Sequence, residues 1–553
     1  MISGVMCEPF LWKYELGHLN EGRMIREVLG LKSLVKPEGR KRGKLWQKIG
    51  ELWAPLLFFL TGYAYDIYYL IKYGRDHLDS DMAAEMILSS IQNSNHSFLE
   101  TNWIYSTEIK VINMQWFYRL GLFLFPHNWL VARVIGMAIA LLLLAWGFFE
   151  VARLTKLKQY AIWLAGFIVW PLGFWYQWQS IFGGYYLPYA MISIWSFWAA
   201  LKICNADSKK IKGFGVFLLT MLAFLSGMQG VRQCMVMYAP LLITAVLFWK
   251  NKKLLYSAVY AFICNACGLL INIMVLPNYY IFDAKNEQLW GNGTNSWITS
   301  LRWYFDMFGF CQNRKMGFGQ QAQDVPVFSF NGIAIGLGWV IGISIFASIL
   351  YLLFIFQKLE IWEKILVTLC LSMLFVSGFV FTYIAGAMQY WQQTVPFGYV
   401  FLVIAHKHLP LESLAKKWCL LLGMAAFVCV SARGTCIASL ELPLRAEIGT
   451  ERVVDYILKE TDLRQGYAPF WLSNLSQELS NGELEMYCGN NLPNSFSRYT
   501  WLQKKDHIDN GPTEHYFIIL YGRYENYENV DLLNEIGAEC IYDDGMYCAV
   551  AVE

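Results

Sequence analysis

Charge is what this sequence has little of. Asp, Glu, Lys and Arg make up 16% of its residues, where soluble domains carry about 25%. That balance does not suit a soluble globular chain. Metal-site patterns are missing as well: there is no HExxH and no pair of CxxC knuckles with metal spacing, which argues against a zinc site. The thirteen cysteines are scattered, and Cys204, Cys234, Cys264, Cys267, Cys370, Cys419 and Cys429 lie in or beside apolar segments, where they read as small hydrophobes. His406 and His408 read as loop residues. No stretch resembles a cleavable signal peptide, because the first fifty residues are polar and basic. Neither an internal repeat nor a low-complexity linker is visible. The net charge of +2 says little, and nucleic acid is not an expected partner.

What is present is apolar sequence: 56% hydrophobic, 17% aromatic, mean hydropathy +0.35. Repeated apolar runs of about 20 residues mark membrane-spanning helices. About eleven are expected, near 52–73, 129–151, 159–179, 184–203, 213–230, 233–250, 254–276, 331–356, 364–385, 394–408 and 417–438. Pro396 is expected to break the tenth. A basic run from Lys32 to Lys48 abuts the first span, which places the N-terminus in the cytoplasm. Alternation then puts Arg153, Lys156 and Lys158 inside, followed by Lys209, Lys210 and Lys212, then Lys250, Lys252 and Lys253, with Lys358, Lys364, Lys407, Lys416 and Lys417 further on. The turns near 180–184 and 386–393, placed outside, carry no Lys or Arg.

The expected fold class is an α-helical polytopic membrane protein, N-terminus in and C-terminus out, multi-pass in the cell membrane and in contact with its lipids. Residues 1–49 form a cytoplasmic basic segment. Residues 50–438 form the transmembrane domain with long outer loops 74–128 and 277–330. Residues 439–553 form a small extracytoplasmic α/β domain. Every inside loop is short, so none has room for the α/β domain that a nucleotide-sugar enzyme needs.

The stretch around which the rest is organised is Asp76-His77-Leu78-Asp79-Ser80-Asp81-Met82-Ala83-Ala84-Glu85, just past the first span. Carboxylates at a membrane boundary are costly unless paired, solvated or used. Asp81 and Glu85 share a helix face, and Asp79 sits at or before the start of that helix. Two readings stand side by side. The acids form a catalytic cluster, or Ser80 or Asp81 caps a helix from Met82 to about Ile91 with acid at its positive end.

Candidate partners of the cluster follow in chain order. Trp103, Tyr105 and Glu108 precede an amphipathic run from Ile109 to Phe125, and Trp103, Tyr105, Trp116 and Tyr118 suit either an interfacial belt or a sugar pocket. Gln177, Gln179, Gly183-Gly184 and Tyr185 form a polar-aromatic turn, as do Gln389, Tyr390, Trp391 and Gln392. Arg232, in Gly230-Val231-Arg232-Gln233, has no acidic neighbour in sequence; it holds a lipid phosphate, snorkels to headgroups, or pairs with an acid of segment 74–128. Segment 277–330, with Arg302, Asp306, Arg314 and Lys315, has the length of a lid or a plain connection. In the tail, a helix is expected over 447–460, strands over 483–488 and 516–521, a helix over 530–536 and a hairpin about Asp543-Asp544-Gly545, across which Cys540 and Cys548 are candidates to pair. The aromatic patch from Gly466 to Trp471 binds glycan, docks on the membrane, or packs as core.

An acidic motif after the first span, a long first outer segment with an interfacial helix, about eleven spans and an outer C-terminal domain together resemble the GT-C superfamily of membrane glycosyltransferases. Protein O-mannosyltransferases, lipid A aminoarabinose transferases and oligosaccharyltransferase catalytic subunits have this architecture. The resemblance covers about 50–440, and its local signature is Asp79-Ser80-Asp81 with Glu85. It implies a sugar carried on a polyprenyl phosphate or pyrophosphate. Chemistry at an outer carboxylate, out of reach of cytosolic nucleotide sugars, points the same way. Asp79 or Asp81 is then the general base, with Glu85 orienting the acceptor or carrying a metal, and Arg232 stabilises the leaving phosphate, with inversion at the anomeric carbon. Trp103, Tyr105, Glu108, Gln179, Tyr185, Gln389 and Trp391 are candidates for the substrate pocket. The acceptor is a glycan, a lipid or a protein. A divalent cation, magnesium or manganese, is a candidate cofactor, although the 180–184 turn lacks the second D-x-D of metal-using members. Other classes stay open: a lipid-linked glycan polymerase or ligase using Arg302, Arg314 and Lys315, a transporter or flippase using Asp66 and Arg433, or a non-catalytic scaffold.

Overall fold

The computed structural model describes residues 39–282, 297–309, 326, 328–383, 388–441, 447–512 and 515–552. The chain divides into two units, Met1–Ala54 and Pro55–Glu553, and the candidate site lies wholly in the second.

Eight helices among the described residues are long and apolar enough to cross a membrane. They are Leu52–Tyr73, Trp129–Leu154, Leu187–Asn205, Lys209–Gln229, Lys252–Asn278, Phe330–Phe354, Ile361–Tyr383 and Ser413–Gly434. The other three expected segments are helical but shorter, and prolines explain much of this. Over 159–179 the helix Ala161–Ile168 stops before Pro171, and the chain resumes in Phe174–Gln177 and a π-helical stretch, Trp178–Gly183. Over 233–250 a π-helical turn, Cys234–Tyr238, runs into Ala239–Leu247. Pro396 begins the Val395–His408 helix rather than breaking it, because a first-turn proline has no N–H to lose from the ladder. His406 and His408 end that helix and are not in a loop. His408 Nε2 lies 2.8 Å and Lys407 Nζ 2.6 Å from the buried Glu363, with basic groups at the negative end of the helix. Cys264 and Cys267 form a single CxxC on the Lys252–Met274 helix, with both thiols free.

Two sheets sit beside the helices. In the larger, strands run in the order β5-β4-β3-β7-β9-β8, where β3 is Gln465–Ala468, β4 Glu485–Asn490, β5 Ser497–Arg498, β7 Tyr516–Tyr521, β8 Glu539–Asp543 and β9 Tyr547–Val552. Parallel pairing of β3 with β4 and β7, and antiparallel pairing of β9 with β7 and β8, make the tail an α/β unit. Register rules out the cysteine pairing considered above: Cys540 faces Val550, Cys548 faces Asp543, and both thiols are free. The smaller sheet joins three distant segments. Its strands β1 (Trp103–Tyr105), β2 (Ile281–Phe282) and β6 (Gln503–Lys504) put Trp103 opposite Lys504 and Ile104 opposite Ile281.

The tail is locked down by a buried ion pair that the sequence does not advertise. Arg133, fully buried at the start of the Trp129–Leu154 helix, reaches Glu478 with two N–H···O bonds of 2.8 and 2.6 Å. Its other donors go to Tyr118 Oη, Phe182 O and Met82 O. Truncating one partner strands a desolvated charge, which costs about 3–5 kcal/mol. Glu478→Ala is therefore expected to lower the unfolding midpoint sharply, and Arg133→Met with Glu478→Leu to recover most of it. Thermal unfolding in detergent checks both; a Glu478→Ala midpoint equal to that of the unaltered protein would contradict the assignment.

Candidate active site

The acid cluster begins at a helix cap. Asp79 is extended (φ −127°, ψ 170°), and its Oδ1 accepts the Met82 N–H at 2.8 Å, so the helix runs Ser80–Ser94. The cap falls one residue earlier than Ser80 and two before Asp81, and the carboxylate at 79 does the capping, at about 1 kcal/mol. The same Oδ1 accepts the Tyr185 hydroxyl at 3.0 Å. Asp79 is thus committed to holding two elements together.

Asp81, in the first turn of the helix, is differently placed. Its Oδ1 takes a long contact, 3.4 Å, from the Trp501 indole N–H of the C-terminal unit. Burial and the adjacent Asp79 raise its pKa to about 7, against the pull of Trp501 and Lys110. Glu85, on the same helix face, is buried and paired with Lys110 Nζ at 2.9 Å. The C-terminal segment closes on this helix at other points: Ser80 Oγ donates to Phe470 O, and Asn474 Nδ2 donates to Ser80 O at 3.4 Å.

Arg232 stands on the turn after the Lys209–Gln229 helix. Gly230 makes that turn with φ +148°, a conformation side chains rarely take, and an added Cβ would meet Glu108 at 3.4 Å. The Arg232 Nε donates to Glu108 Oε1 at 3.0 Å, and Tyr189 Oη donates to the other oxygen of Glu108. The rings of Tyr186, Tyr189 and Tyr390 lie 5.2, 5.4 and 4.9 Å from the guanidinium carbon. Three aromatic faces hold the cation away from water, each such contact being worth about 0.5–2 kcal/mol. Beside it is a cavity of about 320 Å³. Its polar end is Thr107, Glu108 and Arg232; Leu269, Ile273 and Phe381 are among its apolar walls.

Tyr185 and Tyr186, consecutive in sequence, join the two halves: one hydroxyl is on Asp79 and the other ring is on Arg232. Both follow a π-helical stretch and Gly184, whose φ is +71°. A second π-helical turn, Cys234–Tyr238, follows Arg232. Irregular turns of this kind re-aim side chains and concentrate at functional sites. Asp79 and Asp81 do not themselves line the Arg232 cavity.

Asp79, Asp81 and Glu85 lie together at the start of one helix, and Tyr185-Tyr186 links Asp79 to the Arg232–Glu108 pair, while other candidates lie elsewhere. Trp103 and Tyr105 are buried in β1, Tyr105 against the rings of Tyr280 and Phe282, so neither stands in an interfacial belt nor lines the Arg232 cavity. Tyr118 is buried on Arg133, whereas Leu120, Phe123 and Leu124 of the Gln115–Leu124 helix are exposed. Trp391 is fully buried against Tyr304 and Phe381. The side chains of Gln179 and Gln389 lie outside the described residues, as do Arg314 and Lys315. Arg302 is 3.8 Å from Asp306 on its own helix. Tyr189 and Trp501 were not singled out from sequence; Tyr186 and Tyr390 read only as members of the two polar-aromatic turns, a pattern that marked the turns but not their target. Among the described residues no three Asp, Glu, His or Cys side chains converge as metal ligands. Asp79 is engaged by Met82 and Tyr185, and Glu85 by Lys110.

No family profile matches the sequence, and no curated protein matches it either. Among solved structures, ArnT from Cupriavidus metallidurans bound to undecaprenyl phosphate superposes with a TM-score of 0.55 at 11% identity, over 90% of this chain and 98% of that one. The apo state of the same protein gives 0.53 at 10% identity, over 86% and 93%. An Archaeoglobus fulgidus oligosaccharyltransferase aligns at 0.45 and 11% identity, over 79% and 66%. The chain shares the fold of the ArnT structure.

Proposed function

We propose that this protein is a membrane glycosyltransferase that moves a sugar from a polyprenyl-phosphate or pyrophosphate carrier to an acceptor hydroxyl on the extracytoplasmic face. The observation that carries the reading is the Tyr185-Tyr186 link: the Tyr185 hydroxyl donates to Asp79, two residues before Asp81, and the Tyr186 ring faces the tyrosine-caged cation, Arg232. The fold shared with an undecaprenyl-phosphate-bound protein supports a lipid-borne donor. So does the cavity at Arg232, which offers one cationic end and apolar walls to a phosphate with a hydrocarbon tail.

The step needs one base. The acceptor O–H gives its proton to the Asp81 carboxylate as the oxygen bonds to the anomeric carbon. The bond from that carbon to the phosphate oxygen breaks with inversion, and the electron pair leaves on the phosphate. Arg232 meets the developing charge with guanidinium donors that Glu108 does not occupy. Asp79 orients: its bonds to Met82 and Tyr185 hold Asp81 at the head of the helix. Glu85 acts through Lys110. No step is routed through magnesium or manganese.

The test is direct. Lipids co-purifying with the protein are identified by mass spectrometry, and the polyprenyl carrier found is loaded with sugar and offered as donor. A polyprenyl phosphate and turnover with its glycosylated form are expected; phospholipid alone, with no turnover from any polyprenyl-linked sugar, would end the proposal.

A further inference from the structure

The Arg232 cavity carries its charges as a matched pair. Among the described residues that line it, Arg232 is the one cation and Glu108 the one anion. Both side chains keep accessible surface, 18% for Arg232 and 14% for Glu108, so a ligand entering the cavity meets the two together. Glu108 is fixed in that position. One of its oxygens accepts Arg232 Nε at 3.0 Å, and the other accepts the Tyr189 hydroxyl. Nothing nearby offsets the carboxylate further: the uncharged rings of Tyr186, Tyr189 and Tyr390 surround the guanidinium, and Leu269, Ile273 and Phe381 are apolar walls. The polar end of the cavity is therefore neutral overall while still offering guanidinium donors.

Transfer changes the charge that this end must hold. A glycosyl phosphodiester carries one negative charge. When the bond from the anomeric carbon to the phosphate oxygen breaks, the electron pair stays on phosphate and the acceptor's proton goes to Asp81. The spent carrier is a phosphate monoester, which loses its second proton at about pH 6. With Arg232 shared, a bound monoanion leaves one excess negative charge and a dianion leaves two. Desolvation and repulsion by Glu108 both rise with the second charge in these apolar surroundings. We propose that Glu108 makes the cavity prefer the monoanionic phosphodiester to the dianionic monoester that transfer leaves, so that the reaction itself drives release of the spent carrier. The inference rests on the lipid-phosphate reading of this cavity; what it adds is a discriminating role for Glu108, an unfavourable contact built against the product.

Equilibrium binding to the full chain in lipid nanodiscs tests it with two probes. Undecaprenyl phosphate passes from monoanion to dianion between about pH 5 and about pH 8. Undecaprenyl methyl phosphate, a diester, keeps one charge throughout. The readout is the monoester-to-diester affinity ratio, in which the ionisation of Asp81, outside the cavity, cancels to first order. In the unaltered protein this ratio is expected to fall about tenfold across that range. Glu108→Gln should erase the fall, and Glu108→Asp, which keeps the charge, should preserve it. A ratio that stays constant in the unaltered protein, or falls equally in Glu108→Gln, overturns the role of Glu108 and leaves the lipid-phosphate reading standing. The first of these comparisons needs no variant, so it decides even where Glu108→Gln does not fold. If neither probe binds at either pH, both readings fall.

Discussion

Asp81→Asn is expected to abolish transfer while making the protein more stable at alkaline pH. Removal of a general base costs about 10²–10⁴ in rate. The stability half follows from linkage. Asp81 titrates near 7 in the fold against 3.8 ordinarily, because burial and Asp79 disfavour its charge. Between those values the folded chain holds a proton that the unfolded chain has released. Folding stability from this group is therefore present at low pH and falls as pH rises toward 7. Asparagine removes the titration, so the unfolding midpoint of the variant should exceed the parent's above pH 7 by a few degrees and match it in slope below pH 4. In the unaltered enzyme, kcat/KM should climb with pH up to about 7 and then level. Asp79→Asn is expected to lose activity together with stability, since Asp79 caps the helix and holds Tyr185. Scanning calorimetry and transfer assays over pH 5–9 distinguish the two acids. Full activity in both variants would remove the base from the cluster.

Arg232→Gln is the second large effect, and its signature is different. Loss of a preorganised donor to a departing oxyanion costs about 10²–10³ in kcat. Arg232→Lys keeps the charge but not the planar fork, so it should recover only part of that loss. The cation also neutralises Glu108, so Glu108→Gln in the Arg232→Gln background is the control for simple misfolding. If the double variant regains stability without regaining turnover, Arg232 acts on the substrate. If either Arg232 variant turns over donor at the parental kcat, the phosphate is held elsewhere. Tyr390→Leu, which removes one ring face from Arg232, should raise KM for the lipid donor more than it lowers kcat.

Composition and periodicity carried the membrane class, the helix after the first span and the α/β character of the tail. These depend on local chemistry: runs of apolar side chains, an acid at a helix start, and the unbroken apolar run of Tyr516–Tyr521. The carboxylates of 79–85 and Arg232 were legible for the same reason, since charge is conspicuous at a membrane boundary. Distance in sequence hid the rest. Trp501 reaches Asp81 across 420 positions, and Glu478 reaches Arg133 across 345. Trp103 and Tyr105 read as belt or sugar-pocket rings, whereas both are buried, Tyr105 against Tyr280 and Phe282 from a remote segment.

By itself the sequence determined which segments are apolar enough for a membrane and which acids and cation are available for chemistry, because hydropathy and charge are properties of residues. Only the tertiary structure decided that Tyr185 and Tyr186 join Asp79 to Arg232, and that Asp79 is spent on a cap while Asp81 keeps a raised carboxyl. Pairing and desolvation belong to neighbours in space, and chain order does not name them.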